Sequence, residues 1–291
     1  MNDLISALIL AVVQGLTEWL PVSSSGHLVL FQGLLGFNAS LMFDVALHFG
    51  TLMAVFVYFG KDIIDIVEDF LRFRTRSPNF RLGLLLIVAT IPAVIVGYFL
   101  KGFFESTLGN MSSLAIEFGI TALVLFIASI DFGKLKNTVG NLSFGGGFII
   151  GCAQAFAILP AVSRSGVTIS SGLLLGLKEK DAVKFSFLMA VPAIFGAAVL
   201  EVGNNKLPSS LIWATLLAFV VGLLTIHLML KFILTSRKNL RWFALYCLLL
   251  ALGIGFYLLL SRQEMAAFAA RKALVVGTSA LGTVGNTENP E

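Results

Sequence analysis

The sequence predicts an all-α polytopic membrane protein: six transmembrane helices plus two re-entrant helix-turn-helix segments, arranged as inverted-topology repeats. Three observations lead there. Of the 291 residues, 57% are hydrophobic and only 12% charged, with a mean hydropathy of +0.94. Soluble domains carry roughly 25% charged residues, so too few charges remain to cover a soluble surface. Several apolar runs approach the ~20 residues that span a hydrocarbon core as a helix. They are rich in Leu, Phe and Gly and lack the period-two alternation of a membrane β-barrel. Finally, the basic residues alternate between loops, rich in one and poor in the next.

Residues 1–40 open with an apolar run that breaks at "EWLPVSSSGH" and resumes as a shorter one. A helix that enters, turns and leaves on the same side fits this pattern. Irregular backbone at that depth is tolerated only where protein buries it or a wet cavity meets it. The N-terminus carries no Lys or Arg before its apolar run. A cleaved signal peptide has a basic start, so the first helix is expected to stay in the chain. A full span follows near 42–59. The next loop carries Lys61, Arg72, Arg74, Arg76 and Arg81. Within it "KDIIDIVEDFLRFRTR" reads as a short amphipathic surface helix, acids first and bases last as its dipole favours, with Glu68 and Arg72 spaced i,i+4.

Spans near 82–100 and 114–130 come next, joined by a loop with Lys101 alone. Lys134 and Lys136 mark another basic loop. Residues 144–180 repeat the interrupted pattern at "ILPAVSRSGVTIS". Spans near 183–200, 211–230 and 242–260 complete the domain. Lys178, Lys180 and Lys184 precede the first of these, and Lys231, Arg237, Lys238 and Arg241 precede the last; Lys206 stands alone between. If 1–40 and 144–180 are both re-entrant, every basic loop falls on one side, which the positive-inside rule makes the cytoplasm. Both termini then face out. Trp213 and Trp242 suit interfacial anchors, while His227, Cys152 and Cys247 suit packing roles. Nucleic acid is not expected as a partner, because the basic residues sit in short inter-helix loops.

"VSSSG" at 22–26 matches "VSRSG" at 162–166, an offset of 140, and Gln14 and Gln154 precede the two motifs. Repeats of about 1–130 and 141–262 within one membrane domain, 1–262, follow. Two halves related by an axis in the membrane plane bring their interrupted segments together near the midplane. Residues 263–291 form a tail that is expected to be partly disordered.

An ionisable side chain inside a membrane is expensive and by default functional. Glu18, His27 and Arg164 qualify. Around them stand the hydroxyls of Ser23, Ser24, Ser25, Ser163, Ser165 and Thr168, with Gly26 and Gly166 in the turns. Arg forks onto phosphate oxygens, and Ser-Gly turns that start helices offer free N–H groups to an anion. The set suits phosphate. A carboxylate beside phosphate calls for a bridging divalent cation, which Glu18 with Gln14 one turn earlier has the oxygen ligands to hold. His27 suits a base, acid or nucleophile. Asp44 and His48, also i,i+4, either join the site or pair with each other.

These residues carry a resemblance. "QGLTEWLPVSSSGH" (14–27) and "PAVSRSGVTISSGLLLG" (160–176) resemble the two signatures of the bacterial undecaprenyl-diphosphate phosphatase family, the bacitracin-resistance membrane proteins. "FDVALHFGTLMAVF" and "FSFLMAVPAIFGA" are similar to further family segments, and the likeness covers about 1–262. Gln14 stands where many members carry Glu, and Ala161 where Gly is usual. The resemblance implies removal of the terminal phosphate of undecaprenyl diphosphate, a polyprenyl lipid substrate, to recycle the carrier for peptidoglycan synthesis. It implies dependence on a divalent cation, Mg2+ or Ca2+, a place in the bacterial plasma membrane with the site open to the outer face, and bacitracin resistance on overproduction. Carried over residue by residue, Glu18 serves metal and catalysis, His27 is base or nucleophile, Arg164 holds the pyrophosphate, and Ser24 is nucleophile or phosphate ligand. Whether the chain acts as a homo-oligomer stays open.

Two rival classes fit the residues less well. Phosphatidic-acid-phosphatase-type enzymes need a His soon after their Ser-Arg element, and none follows Arg164 before His227. A transporter or flippase for a lipid phosphate or anion shares the inverted-repeat architecture, but it leaves Glu18 and His27 without a task.

Overall fold

Helix signals in the chain are local and strong, and they set the element order. In the computed structural model the backbone is described for residues 3–100, 110–133, 135–201, 209–233 and 235–282, and side chains for the same stretches apart from 197–201, 209–210, 232–233 and 262–282. Lys101, Lys134, Lys206 and the last nine residues of the tail therefore lie outside the described residues. Among those described, every regular element is helical.

Helices α1 (Asp3–Thr17) and α2 (Ser24–Leu35) form the first interrupted pair. α3 (Leu41–Tyr58) starts at the Ser40 cap, whose hydroxyl accepts from the Phe43 N–H. α4 (Gly60–Leu71) is the amphipathic helix, with Glu68 and Arg72 3.2 Å apart. α5 (Pro78–Phe99) has Ser77 as cap and proline at its first turn, where a missing N–H costs nothing. α6 (Met111–Ser129) is capped by Asn110. α7 (Phe144–Phe156) and α8 (Arg164–Leu174) form the second interrupted pair. α9 (Glu179–Glu201), α10 (Ser209–Leu228) and α11 (Leu240–Gly282) follow.

Among the described residues, five helical stretches are long and apolar enough to cross a membrane: Leu41–Tyr58, Pro78–Phe99, Met111–Ser129, Leu211–Lys231 and Arg237–Ser261. The sixth expected span, 183–200, falls within α9. Its first turns carry Glu179, Lys180, Asp181 and Lys184, and its side chains from residue 197 onward lie outside those described. α11 runs on past the expected end of its span near residue 260. No Gly or Pro interrupts 256–276, and the stretch is rich in Ala and Leu, the strong helix formers.

Packing between helices is reciprocal. α1 lies along α10 and α7 along α5; α3 also lies on α10, and α9 on α5. α6 pairs with α11, and α3 with α9. Small residues permit these approaches. A Cβ at Gly15 of α1 would sit 2.6 Å from Val221 of α10, and one at Gly151 of α7 only 2.3 Å from the Ala89 carbonyl of α5. Such close backbone contact is how helices associate where lipid removes the hydrophobic drive.

The basic loops meet at one end of the molecule. Lys184 pairs with Asp62 at 2.6 Å, and Arg81 donates to the carbonyls of Gly140 and Leu142. Arg237, which is buried, donates to the Leu173 carbonyl and its backbone N–H reaches Glu179. The N–H of Asn137 donates to the Gly176 carbonyl at 3.0 Å. The start of α7 and the end of α8 are thus fastened to the same end, so the α7–α8 pair is a hairpin that turns back. Its turn points toward the α1–α2 turn.

Candidate active site

The two turns meet, and their serines make the junction. Ser23 caps α2, its hydroxyl accepting from the Gly26 N–H at 3.3 Å and donating to the Pro160 carbonyl of the other turn at 2.6 Å. Ser165 returns the contact, donating to the Leu20 carbonyl at 2.9 Å. Ser163 caps α8 through the Gly166 N–H at 3.0 Å. A side chain at Gly26 would collide with Phe118 at 2.7 Å and with Ala161 at 3.0 Å, so glycine is what allows the turns to touch. Ser23 adopts φ 68°, a left-handed backbone that costs a non-glycine residue about 1–3 kcal/mol. It is held there from both sides: its hydroxyl by the bond to Pro160, its carbonyl by the His27 ring.

Glu18 is the hub. One oxygen, Oε2, accepts from Gln14 Nε2 at 2.9 Å and from the Ser24 hydroxyl at 2.5 Å, and lies 3.5 Å from His48 Nε2. The other, Oε1, accepts from the Arg164 guanidinium across 146 residues of sequence. The Glu18 side chain is 2% exposed and that of Arg164 19%. The carboxylate is therefore sunk in protein while the guanidinium reaches open space.

That space is a cavity of about 360 Å3 between the turns. Of the residues expected at a site, Glu18, Ser23, Ser24, Ser25, Ser163, Arg164 and Ser165 line it. Asp44 and His48 line it too, so they do join the site. Asp44 is held by Gln32 at 2.8 Å, and His48 Nδ1 meets the Asp44 carbonyl at 2.8 Å, which turns Nε2 toward Glu18. The remaining wall is apolar: Leu28, Val29, Leu41 and Val45 on one side, Ile158, Leu159, Ala193 and Ile194 on the other.

Other expected site residues stand elsewhere. His27 does not line the cavity. It is buried, with Nδ1 donating to the Ser23 carbonyl and Nε2 meeting the Tyr246 hydroxyl, both at 2.6 Å. It stacks on Tyr246 and takes Phe118 edge-on. Its ring turns toward Tyr246 of α11, while Ser24, Ser25, Leu28 and Val29 of the same helix line the cavity. The Gly26 and Gly166 N–H groups are already used by their own caps, and Thr168 is engaged with the Arg164 carbonyl and Ser186. None of the three is free for a phosphate. Gln14 lies behind Glu18, and its Oε1 is a buried oxygen without a partner.

Sequence reading passed over Glu117, Thr121 and Tyr246. Glu117 carries the same signal that marked Glu18, an acid inside an apolar span, and applying that rule to 114–130 finds it. Nothing in the sequence marks Tyr246.

The profile of the family described as bacitracin resistance protein BacA matches residues 7–253. This chain belongs to the BacA family. Within that match fall both turns, the cavity and Tyr246. Three relatives named undecaprenyl-diphosphatase illustrate the likeness. That of Methanococcus vannielii is 38% identical over 251 residues, 86% of this chain and 99% of the relative. Those of Rubrobacter xylanophilus and Carboxydothermus hydrogenoformans are 40% and 41% identical, covering 89% and 85% of this chain and 100% and 95% of their own.

Proposed function

We propose that this BacA family member is an undecaprenyl-diphosphatase. It hydrolyses undecaprenyl diphosphate to undecaprenyl phosphate and inorganic phosphate, returning the carrier to cell-wall synthesis. The observation that carries this reading, beyond the names of the relatives, is the Ser24 hydroxyl donating to the Glu18 carboxylate in the cavity that Arg164 enters. A hydroxyl paired to a base is an activated nucleophile, and a guanidinium beside it holds phosphoryl oxygens.

The chemistry follows from those three groups. Arg164 exchanges Glu18 Oε1 for the oxygens of the terminal phosphate. Ser24 Oγ attacks that phosphorus, and its proton passes to Glu18. The bond to the bridging oxygen breaks, and the lipid phosphate leaves with the electron pair and takes the proton from Glu18. A water then attacks the phosphoserine, giving its proton to Glu18. Glu18 returns that proton to Ser24 Oγ as phosphate departs. Arg164 stabilises the charge on the equatorial oxygens in both steps. His27 holds the Ser23 carbonyl, and through it the turn that presents Ser24.

A divalent cation, Mg2+ or Ca2+, fits the donor set as an ion shared with substrate. Among the described residues no group of three or more His, Cys, Asp or Glu forms a protein cage. The cavity does bring together the carboxylates of Glu18 and Asp44, backed by the unpartnered Gln14 Oε1. Mg2+ commonly takes one or two carboxylates and completes its shell with phosphate and water. When bound it supplies positive charge to the diphosphate.

In the membrane we read α9 as a sixth span and the α1–α2 and α7–α8 pairs as re-entrant hairpins of two inverted repeats. The exchange of partners, α1 on α10 and α7 on α5, supports this. The end that gathers Arg81, Lys184 and Arg237 then faces the cytoplasm, and the cavity opens to the outer face of the plasma membrane. Its apolar wall suits the first isoprene units.

The test is phosphate release from a polyprenyl diphosphate by detergent-purified protein with Mg2+ or Ca2+. Release by the parent is the expected result. A folded parent that releases none, across several lipids and cations, yet exchanges labelled lipid across proteoliposomes would replace the hydrolase with a transporter.

A further inference from the structure

Helix α6 runs beside both turns and contributes no group to the cavity. Glu117 and Thr121 lie one turn apart on its inner face, 3% and 0% exposed. The Ala161 N–H donates to Glu117 Oε2 at 2.7 Å. The Thr121 hydroxyl donates to the Ala161 carbonyl at 2.9 Å and accepts from the Ser163 N–H at 3.0 Å. Three backbone groups in the residues just before Arg164 are thus satisfied by two side chains of one helix. Between them Phe118 packs on the other turn, edge-on to His27 at 5.5 Å and against Gly26.

Irregular backbone at membrane depth must find its partners in protein. An acid side chain is an expensive acceptor for one N–H, because its second oxygen, Oε1, is left buried without a partner. Packing alone does not call for it. From this we propose that Glu117 and Thr121 are positioning residues for the reaction: they fix the height and direction of the turn that aims Arg164 at Glu18 and the substrate phosphate. The inference rests on the hydrolase reading above. A misplacement of about 1 Å in a reacting constellation can cost about 100-fold in rate, and Arg164 follows the gripped segment directly.

The experiment is a double-mutant cycle in kcat, with Thr121→Val and Glu117→Met made in the parent and in Arg164→Lys. In the parent each is expected to lower kcat about 10- to 100-fold, while Thr121→Ser and Glu117→Gln, which keep an acceptor, recover most of it. On the Arg164→Lys background the same substitutions are expected to cost less than threefold, since the group they aim is already changed. Equal losses in both backgrounds, or unimpaired kcat in Thr121→Val, would overturn the proposal and leave α6 a structural helix. Glu117→Met carries the test if Thr121→Val does not fold. If the parent itself releases no phosphate, the hydrolase reading fails. Binding of a methylene-bridged diphosphate lipid by the same variants then reports the aim of Arg164 on its own: unchanged affinity would refute it, and a loss reversed by Thr121→Ser would support it.

Discussion

Replacing Arg164 by Ala separates two consequences of one contact. Glu18 is 2% exposed and has four polar neighbours, of which Arg164 is the one permanent cation. Removing one partner of a buried ion pair costs about 3–5 kcal/mol, because the other charge is left without compensation. The Arg164 side chain is partly open to the cavity, so the lower figure, about 3 kcal/mol, applies. At about 2–4 °C per kcal/mol for a chain of this size, the apparent melting midpoint in detergent should fall by about 6–12 °C. Turnover should fall by a further, independent factor of about 100–1,000, the usual effect of removing a group that stabilises transition-state charge. Adding Glu18→Gln to Arg164→Ala removes the stranded charge. The double variant should regain most of the midpoint and none of the activity. Thermal unfolding and phosphate release, measured on the three proteins side by side, read both quantities. An unchanged midpoint in Arg164→Ala, or a double variant as unstable as the single, would refute the buried pair. Turnover within tenfold of the parent would refute the role at the phosphate.

Ser24→Ala should lose more than about 1,000-fold in turnover, as removal of a nucleophile does, yet still bind the lipid diphosphate, which a pull-down of labelled lipid would register. Transfer of phosphate from labelled substrate to the protein should be detectable in the parent on acid quench and absent in Ser24→Ala. Gly26→Ala drives a methyl into Phe118 and Ala161, both within 3.0 Å; overpacking of this kind costs about 1–3 kcal/mol, and parting the turns should abolish activity even where the protein still folds. Thorough chelation with EDTA should stop turnover and readdition of Mg2+ or Ca2+ restore it; activity that survives chelation would remove the cation from the reaction.

Local signals in the sequence make much of this protein readable. The capping serines 23 and 163, the glycines three residues on, and the breaks at Pro21 and Pro160 fixed where helices stop and restart, because caps and turns depend on neighbours in sequence. Hydropathy placed six spans, five of which fall on helical stretches long and apolar enough to cross a membrane among the described residues, and an acid or base inside an apolar run marked Glu18 and Arg164. The same signal lay unread at Glu117. The residues and the family likeness both singled out His27, whose ring in the folded chain meets the Ser23 carbonyl and the Tyr246 hydroxyl. Nine residues separate Glu18 from His27, with a helix break between, so no periodicity states which way that ring turns. Ser24 lines the cavity and the His27 ring meets Tyr246, while His48, one turn beyond Asp44, faces Glu18. Composition and pattern thus determined the class, the elements and the two turns. Only the tertiary structure decided that Glu18 meets Arg164 across 146 residues, that α6 grips the second turn, and which histidine stands open to the site. Those contacts depend on helix packing and on side-chain direction around each helix, and both are set by partners far away in sequence.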